Sequence, residues 1–347
     1  MASHAIRIFF LGGFSRGLRL LDHLILSHEQ VVGACVFPED PHEELQMAPR
    51  LVARCQQAGI PVQPTRQITP EILGSIRQAN PDVIFCLGWR RLFPTELFDI
   101  PRLGVIAAHD SLLPRLRGFA PTSWGLLLGH DPLGVTLFRM TEQVDSGPIY
   151  FQQSFPADPS LTFAAASDQI AEISVSLFDR YLQAVRAGNL TSREQSEAEA
   201  TYGCARAPDD GVISWAATTA EITRLVRALG PPGPGARTTF QGGWFRILEA
   251  QAVAHPNRYE GRIPGRIVAR DEATGTVDVL TGDGIVRISS VQTDDGVTQL
   301  PANLFRSVRD TLGTTSCDTM HLYQQVAELT RRIQALEARD AARSERS

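Results

Sequence analysis

Long apolar runs are missing from this chain. No stretch approaches the roughly 18 to 20 consecutive apolar residues that a membrane-spanning helix needs. The start MASHAIRIFFLGG passes directly into a strand-like segment without a cleavage-site pattern. These absences argue against a membrane span and predict a cytoplasmic protein. Paired cysteines are missing too. The five present, Cys35, Cys55, Cys86, Cys204 and Cys317, are odd in number, scattered and never spaced C-x-x-C. That argues against a disulfide framework or a zinc site and predicts reduced packing residues, with no metal. A basic block is the third absence. With 33 Lys and Arg against 38 Asp and Glu, a net charge of −5, the chain offers no phosphate-tracking surface, which counts against a nucleic-acid partner.

What is there is an ordinary globular composition, 43% hydrophobic and 20% charged, over 347 residues, enough for about two domains with cores of their own. The first half alternates two patterns. Short apolar runs, IRIFFL (Ile6 to Leu11), VVGACVF (Val31 to Phe37), DVIFCLG (Asp82 to Gly88) and LGVIAAH (Leu103 to His109), read as buried strands. Amphipathic stretches at Leu18 to Leu26, Leu45 to Ala58 and Pro70 to Ala79 read as helices between them. The fold class is therefore α/β, a Rossmann-like, mostly parallel sheet covered on both faces. In such sheets ligands bind beyond the carboxyl ends of the strands, where Gly12, Trp89 and His109 fall.

A long helix is expected from about Thr162 to Gly188, closing a first domain over 1–188, and the polar run NLTSREQSEAE opens a linker over 189–218. Over 219–314, after a helix at Thr219 to Leu229, short alternating runs separated by Gly, Pro and Asp predict a small OB-like β-barrel. The tail, 315–347, reads as a C-terminal helix. Leu322, Val326, Leu329, Ile333 and Leu336 recur at alternating spacings of four and three, a heptad seam. Branched residues at one core position and leucines at the other favour a parallel two-stranded coil, hence a homodimer; a helix docked on its own domain is the alternative.

Acyl transfer to an amine needs a group to take the amine proton, stabilisation of the oxyanion and an acid for the leaving nitrogen. His109, at a strand end, and Asp145, in the glycine-bounded loop QVDSGP, suit proton transfer, because a carboxylate can fix an imidazole tautomer. By spacing alone, a hydrogen-bonded structural histidine near a loop aspartate fits better.

The run Gly104 to Pro156 carries more. It contains H-D-S-L-L-P-R-L-R-G (His109 to Gly118), G-V-T (Gly134 to Thr136) and D-S-G (Asp145 to Gly147). In this it resembles the 10-formyltetrahydrofolate-dependent formyltransferase superfamily, whose pattern is N-x-H-x-S-L-L-P-x-x-R-G followed by G-V-T and D-x-G. Weaker similarity runs from about Ile6 to Thr314 and includes APDDGVISW (Ala207 to Trp215). It resembles methionyl-tRNA formyltransferases and, more nearly in pattern, sugar-nucleotide N-formyltransferases such as the UDP-aminoarabinose formyltransferase domain.

The resemblance implies His109, Asp145 and Ser111 as catalytic residues. It implies a slot for 10-formyltetrahydrofolate along Gly88, Arg90, Arg91, Leu92 and Phe93 and along Met140, Gln143, Val144 and Asp145, largely through backbone groups. Arg115 and Arg117, with Leu113, Pro114 and Trp124, sit where an acceptor carrying phosphates or a sugar ring could be held, since guanidinium forks suit phosphate oxygens, although Arg117 reads equally as a loop brace. Gly12, at a helix start, could approach a phosphate, although Gly12 and Gly13 read better as a plain tight turn.

One departure stands out. The family pattern has asparagine two residues before the histidine, and this chain has Ala107. In the family's chemistry that amide donates to the formyl oxygen, and losing one oxyanion donor costs on the order of 10² to 10³ in rate. Three accounts stay open: formyl transfer with the donor replaced by protonated His109, a water or a loop amide; transfer of another acyl or one-carbon group, or hydrolysis of the formyl donor; and a non-catalytic binding homologue. For the acceptor, the loop Pro38 to Arg50 holds Glu39, Asp40, Glu43 and Glu44 against Arg50, a charge that would repel a tRNA acceptor stem. A small amine, most plausibly on a nucleotide-linked sugar, is the expectation.

Overall fold

The structure, a computed structural model, describes residues 5–40, 45–313 and 316–344. It divides into two compact units, Met1–Ala207 with Pro231–Gly233, and Pro208–Gly230 with Pro234–Ser347.

The first unit runs β1 (Arg7–Gly12), α1 (Phe14–Leu26), β2 (Gln30–Val36), α2 (Ala48–Gln57), β3 (Val62–Pro64), α3 (Pro70–Ala79), β4 (Val83–Leu87), β5 (Val105–His109), β6 (Arg117–Gly118), α4 (Pro121–Leu128), β7 (Leu133–Arg139), β8 (Ile149–Phe155), α5 (Phe163–Ala187) and β9 (Tyr202–Gly203). Its seven-stranded sheet has the order β3-β2-β1-β4-β5-β7-β8. The pairs from β3 through β5 are parallel, and β7 and β8 are antiparallel additions. The parallel part follows from apolar strands too uniformly hydrophobic to leave either face wet; β4 is buried at every position. Alternate side chains go to opposite layers. Phe9, Leu11, Ile84, Cys86, Val105 and Ala107 pack with Ile72, Leu73 and Ile76 of α3, whereas Phe85 meets Phe178 of α5 at 4.6 Å.

Helix ends follow their local chemistry. Pro70 opens α3 behind Thr69, whose Oγ1 accepts from Ile72 N, and Asn80 ends it in left-handed backbone. Thr162 and Gly188 bracket α5 in the same way.

The second unit contains α6 (Thr219–Leu229), β10 (Ala236–Phe240), β11 (Gly243–Ala252), β12 (Ile267–Asp271), β13 (Thr276–Leu280), β14 (Ile285–Thr293), β15 (Thr298–Gln299), α7 (Pro301–Leu304) and α8 (Ser316–Ser344). The antiparallel order is β10-β11-β14-β13-β12, with β15 on β14. Its edges β10 and β12 are not paired to each other. The irregular segment Asp310 to Gly313 lies between them: Ile267 N donates to Asp310 O (3.0 Å), Leu312 N to Gly265 O (2.8 Å) and Gly313 N to Thr239 O (2.7 Å). The barrel-like expectation is met by a closure that no strand pattern announces.

The stretch expected as a linker, 189–218, is not a free connector. Arg193 and Ile149 exchange backbone bonds (2.8 and 2.9 Å), and β9 pairs with β6, so 189–207 belongs to the first unit. Ile213 N donates to Arg237 O (2.8 Å) and Trp215 is buried in the other core. Polar composition suggested a tether, but backbone pairing makes no demand on side-chain hydrophobicity.

Cys35, Cys55 and Cys86 are buried free thiols, as expected, and Cys204 is an exposed one; the side chain of Cys317 lies outside the described residues. Among the described residues no helix is long and apolar enough to cross a membrane, and no His, Cys, Asp and Glu group could hold a metal ion.

Candidate active site

The carboxyl end of β5 delivers His109 almost fully buried, paired in register with Thr136 of β7. Its Nε2 lies 2.7 Å from Leu116 O. A carbonyl only accepts, so Nε2 carries a proton and Nδ1 is the nitrogen left to exchange one. Nδ1 faces Asp145 Oδ2 at 3.5 Å. The same Oδ2 accepts from Gly118 N at 2.8 Å, so the carboxylate is fixed by the HDSLLPRLRG loop it serves.

Asp145 is held in left-handed backbone, φ 52°. Gly147 lets the turn return, since a Cβ there would stand 1.8 Å from Arg139 O. Gln195 Nε2 clamps the turn from outside, donating to Asp145 O (2.8 Å) and Gly147 O (2.7 Å). Gln195 Oε1 in turn accepts from Arg117 Nε (3.1 Å) and Nη2 (3.0 Å). Arg117, 1% exposed, spends its remaining donors on Glu197 and Tyr202 Oη. Its fork is consumed, which fits the loop brace and not a phosphate clasp.

Ser111 likewise holds the loop. It is buried and its Oγ donates to Arg115 O at 2.6 Å, so the catalytic role expected for it has no free hydroxyl to rest on. Leu113 and Pro114 are buried scaffold as well: Leu113 N is bound by Thr136 Oγ1 and Leu113 O by Gln152 Nε2. Gly12 is buried with the Phe10 ring where a Cβ would go. Arg115 is exposed; Trp124 is half-buried, donates to Cys204 O (2.9 Å) and lies under the Arg206 guanidinium at 5.2 Å.

The expected folate slot is aromatic on one side. Gly88 takes φ 84° and has no room for a Cβ, which would stand 2.4 Å from Gly13 O. Trp89 stacks on Phe93 at 5.3 Å and meets Phe37 edge-on at 5.2 Å. The Trp89 Nε1 is buried without a hydrogen-bond partner. Arg90 lies 4.0 Å over the Phe14 ring, while Arg91 and Leu92 are exposed. In the second expected segment Met140 is half-buried and Gln143 and Val144 are exposed. A cavity of about 310 Å³ is lined by Phe98, Met140, Thr141 and Glu142 among others.

Ala107 is buried in the apolar cluster with Cys86, Leu113 and Phe138. A methyl therefore stands where the resemblance leads one to expect an amide. Burial pushes the Cys86 thiol up to about 12, with Arg16 opposing and Asp145 adding to the shift.

Arg16, Asp110 and Gln195 escaped the sequence reading. Gln195 acts across 48 to 50 residues, a distance at which no local pattern operates. Arg16 did leave a signal: a cation in the first turn of a helix opposes the macrodipole.

Residues 6–182 match the formyl transferase family and residues 206–309 match the formyl transferase C-terminal domain. The chain belongs to the formyltransferase family. A methionyl-tRNA formyltransferase from Geobacter metallireducens is 30% identical over 290 residues, covering 83% of this chain and 91% of that one. An N-formyltransferase from Helicobacter canadensis, solved with folinic acid and dTDP-3-aminofucose, superposes with a TM-score of 0.60 at 17% identity, over 82% of this chain and 98% of that one. HypX from Aquifex aeolicus, solved with tetrahydrofolic acid, gives 0.60 at 19% identity, over 87% and 47%. At those identities the two structures speak for the fold. The family makes the chain a formyl-group transferase.

Proposed function

We propose that this formyltransferase moves the formyl group of 10-formyltetrahydrofolate to the amine of a nucleotide-linked amino sugar. The observation that carries the chemistry is the His109–Asp145 contact, with Nε2 tied to Leu116 O and Nδ1 turned to the carboxylate. Asp145 and His109 take the proton released by the amine and return it to the leaving nitrogen. The slot suits a flat hydrogen-bonding heterocycle, because Trp89 and Phe93 give it an aromatic wall and Trp89 Nε1 is a buried donor in want of an acceptor. The folate, when bound there, supplies the activated formyl group.

The acceptor reading rests on surface chemistry. Arg115 and the Arg206–Trp124 pair offer guanidinium and an aromatic face, which suit a nucleotide sugar, and the Helicobacter canadensis enzyme was solved with one. Charge repulsion of tRNA weighs less than the sequence suggests. Glu39 is buried and accepts from Met47 N and Ala48 N (both 3.0 Å) at the start of α2, Asp40 pairs with Arg66, and Glu43 and Glu44 lie outside the described residues. Similarity to methionyl-tRNA formyltransferases that extends over 83% of this chain favours tRNA as a second reading.

The seam of α8 supports a homodimer. Leu322, Val326, Leu329, Ile333 and Leu336 are each more than half exposed, so they are not docked on their own domain, and a second copy would cover them as a parallel coil. A chain ended at Thr314 should become monomeric in light scattering; a persisting dimer would remove the coil from the account.

The acceptor test supplies 10-formyltetrahydrofolate with dTDP-3-amino sugars, UDP-4-amino sugars or methionyl-tRNA and measures tetrahydrofolate release. Release with a nucleotide sugar alone is expected. Release with methionyl-tRNA alone would establish the second reading, and folate binding without release from any mixture would make the chain a binding homologue.

A further inference from the structure

Ala107 has no amide to offer a formyl oxygen, and the structure holds a candidate donor on a different element. Arg16 lies in the first turn of α1, the positive end of a helix dipole, where the first turn carries no acidic residue. A cation there is disfavoured unless something holds it. Asp110 holds it: Arg16 Nη1 is ion-paired with Asp110 Oδ2, which also accepts from Thr122 Oγ1 at 3.3 Å.

The sheet order makes this reach informative. β4 lies between β1 and β5. The start of α1 rests on the last residue of β4, with Gly13 N bonded to Leu87 O (3.2 Å) and Gly17 so close that an added Cβ would stand 3.1 Å from the same carbonyl. From that seat the Arg16 side chain extends to Asp110, the residue after His109, and so crosses the open ends of β4 and β5. The guanidinium therefore sits at the carboxyl ends of the strands, paired with the residue that follows His109. An arginine has five N–H donors, and among the described residues Asp110 is the only hydrogen-bond partner of this one.

We propose that Arg16, positioned by Asp110, is the donor to the formyl oxygen, replacing the amide that Ala107 lacks; this rests on the formyl-transfer reading above. In the transfer the amine nitrogen bonds to the formyl carbon and the bond from that carbon to the folate nitrogen breaks. The amine proton passes through the Asp145–His109 pair to the leaving nitrogen, and the charge that develops on the formyl oxygen meets the guanidinium. Arg16 stays charged throughout and the enzyme ends as it began.

The test measures tetrahydrofolate release from 10-formyltetrahydrofolate, to water and to the acceptor mixtures above, for the wild type, Arg16→Met and the double variant Arg16→Met with Ala107→Asn. Binding of 10-formyl-5,8-dideazafolate, which keeps the formyl group but does not transfer it, reports whether each variant is folded. Arg16→Met should lose on the order of 10²-fold in kcat with analogue affinity nearly unchanged, and the double variant should regain most of that loss. A crystal of the wild type with the analogue should place Arg16 within hydrogen-bond distance of the formyl oxygen. Equal turnover by Arg16→Met and wild type, or a formyl oxygen bound by another group with Arg16 remote, would overturn the role of Arg16 alone. A wild type that binds the analogue yet releases no tetrahydrofolate in any mixture would overturn formyl transfer itself, and the role of Arg16 with it.

Discussion

Around His109, left-handed backbone is taken by Phe14, Leu116, Ala120 and Asp145 as well as by Gly88, Gly104 and Gly118, whereas in the antiparallel sheet the same conformation falls to Gly235, Gly242, Gly265, Gly275, Gly296 and Gly313, with Gln241 the exception. The helices differ in the same sense. α1 begins at Gly13 with no side-chain cap and carries Arg16 in its first turn, while α6 begins with a complete capping box between Thr218 and Glu221. Non-glycine residues in such backbone cost about 1 to 3 kcal/mol each and persist where surrounding structure over-determines them. The first sheet gives up local preference at its carboxyl end to aim Leu116 O at His109 and the Asp145 carboxylate at Nδ1. The second sheet keeps local preference almost everywhere, as a unit shaped by its own packing would.

The sharpest way to probe that contrast is His109→Ala. It should lower tetrahydrofolate release by about 10²- to 10⁴-fold, the range of a positioned acid–base group, with the urea midpoint nearly unchanged. Removing the ring deletes one buried hydrogen bond but relieves Leu116 of the strain that serves it. A large fall in stability with activity per folded molecule retained would mean that the left-handed residues serve packing, and the contrast would fail.

What the sequence reveals and what it conceals follow the same line. α3 is predicted from Pro70 to Ala79 and α6 from about Thr219 to Leu229, as both are found, because a proline opens the first and a Thr218–Glu221 capping box the second. His109 and Asp145 are legible because the motif records a geometry. Arg117 and Gln195 stand 78 residues apart and Arg16 and Asp110 stand 94 apart, so only the closed sheet brings each pair together. Glu39 shows the converse error. Its charge reads as surface field, but its carboxylate is buried as the cap of α2. A charge count cannot tell a solvated carboxylate from one that satisfies backbone N–H groups.

Arg117→Met crosses the contrast from within the catalytic unit. It lies eight residues from His109, yet its bonds run to Gln195, Glu197 and Tyr202. The variant should lose about 2 to 4 kcal/mol of stability in urea unfolding, from broken buried hydrogen bonds and lost packing. The acceptor KM of the folded fraction should stay near that of wild type. A raised KM with unchanged stability would instead make Arg117 a substrate contact, as the sequence alone allows.

The smallest expected effect is at the other unit. In Thr218→Ala the Glu221 N–H loses its bond to Thr218 Oγ1, 3.2 Å in the capping box, which should cost about 1 kcal/mol. A shift in urea midpoint of that size, with tetrahydrofolate release unchanged, is the expectation. α6 packs through Ile222 and Val226 into the antiparallel core, which is a different core from the one behind His109. If Thr218→Ala instead slowed release at full occupancy of the folate, the second sheet would be setting the geometry of the first. The left-handed residues around His109 would then be held in place from outside their own sheet.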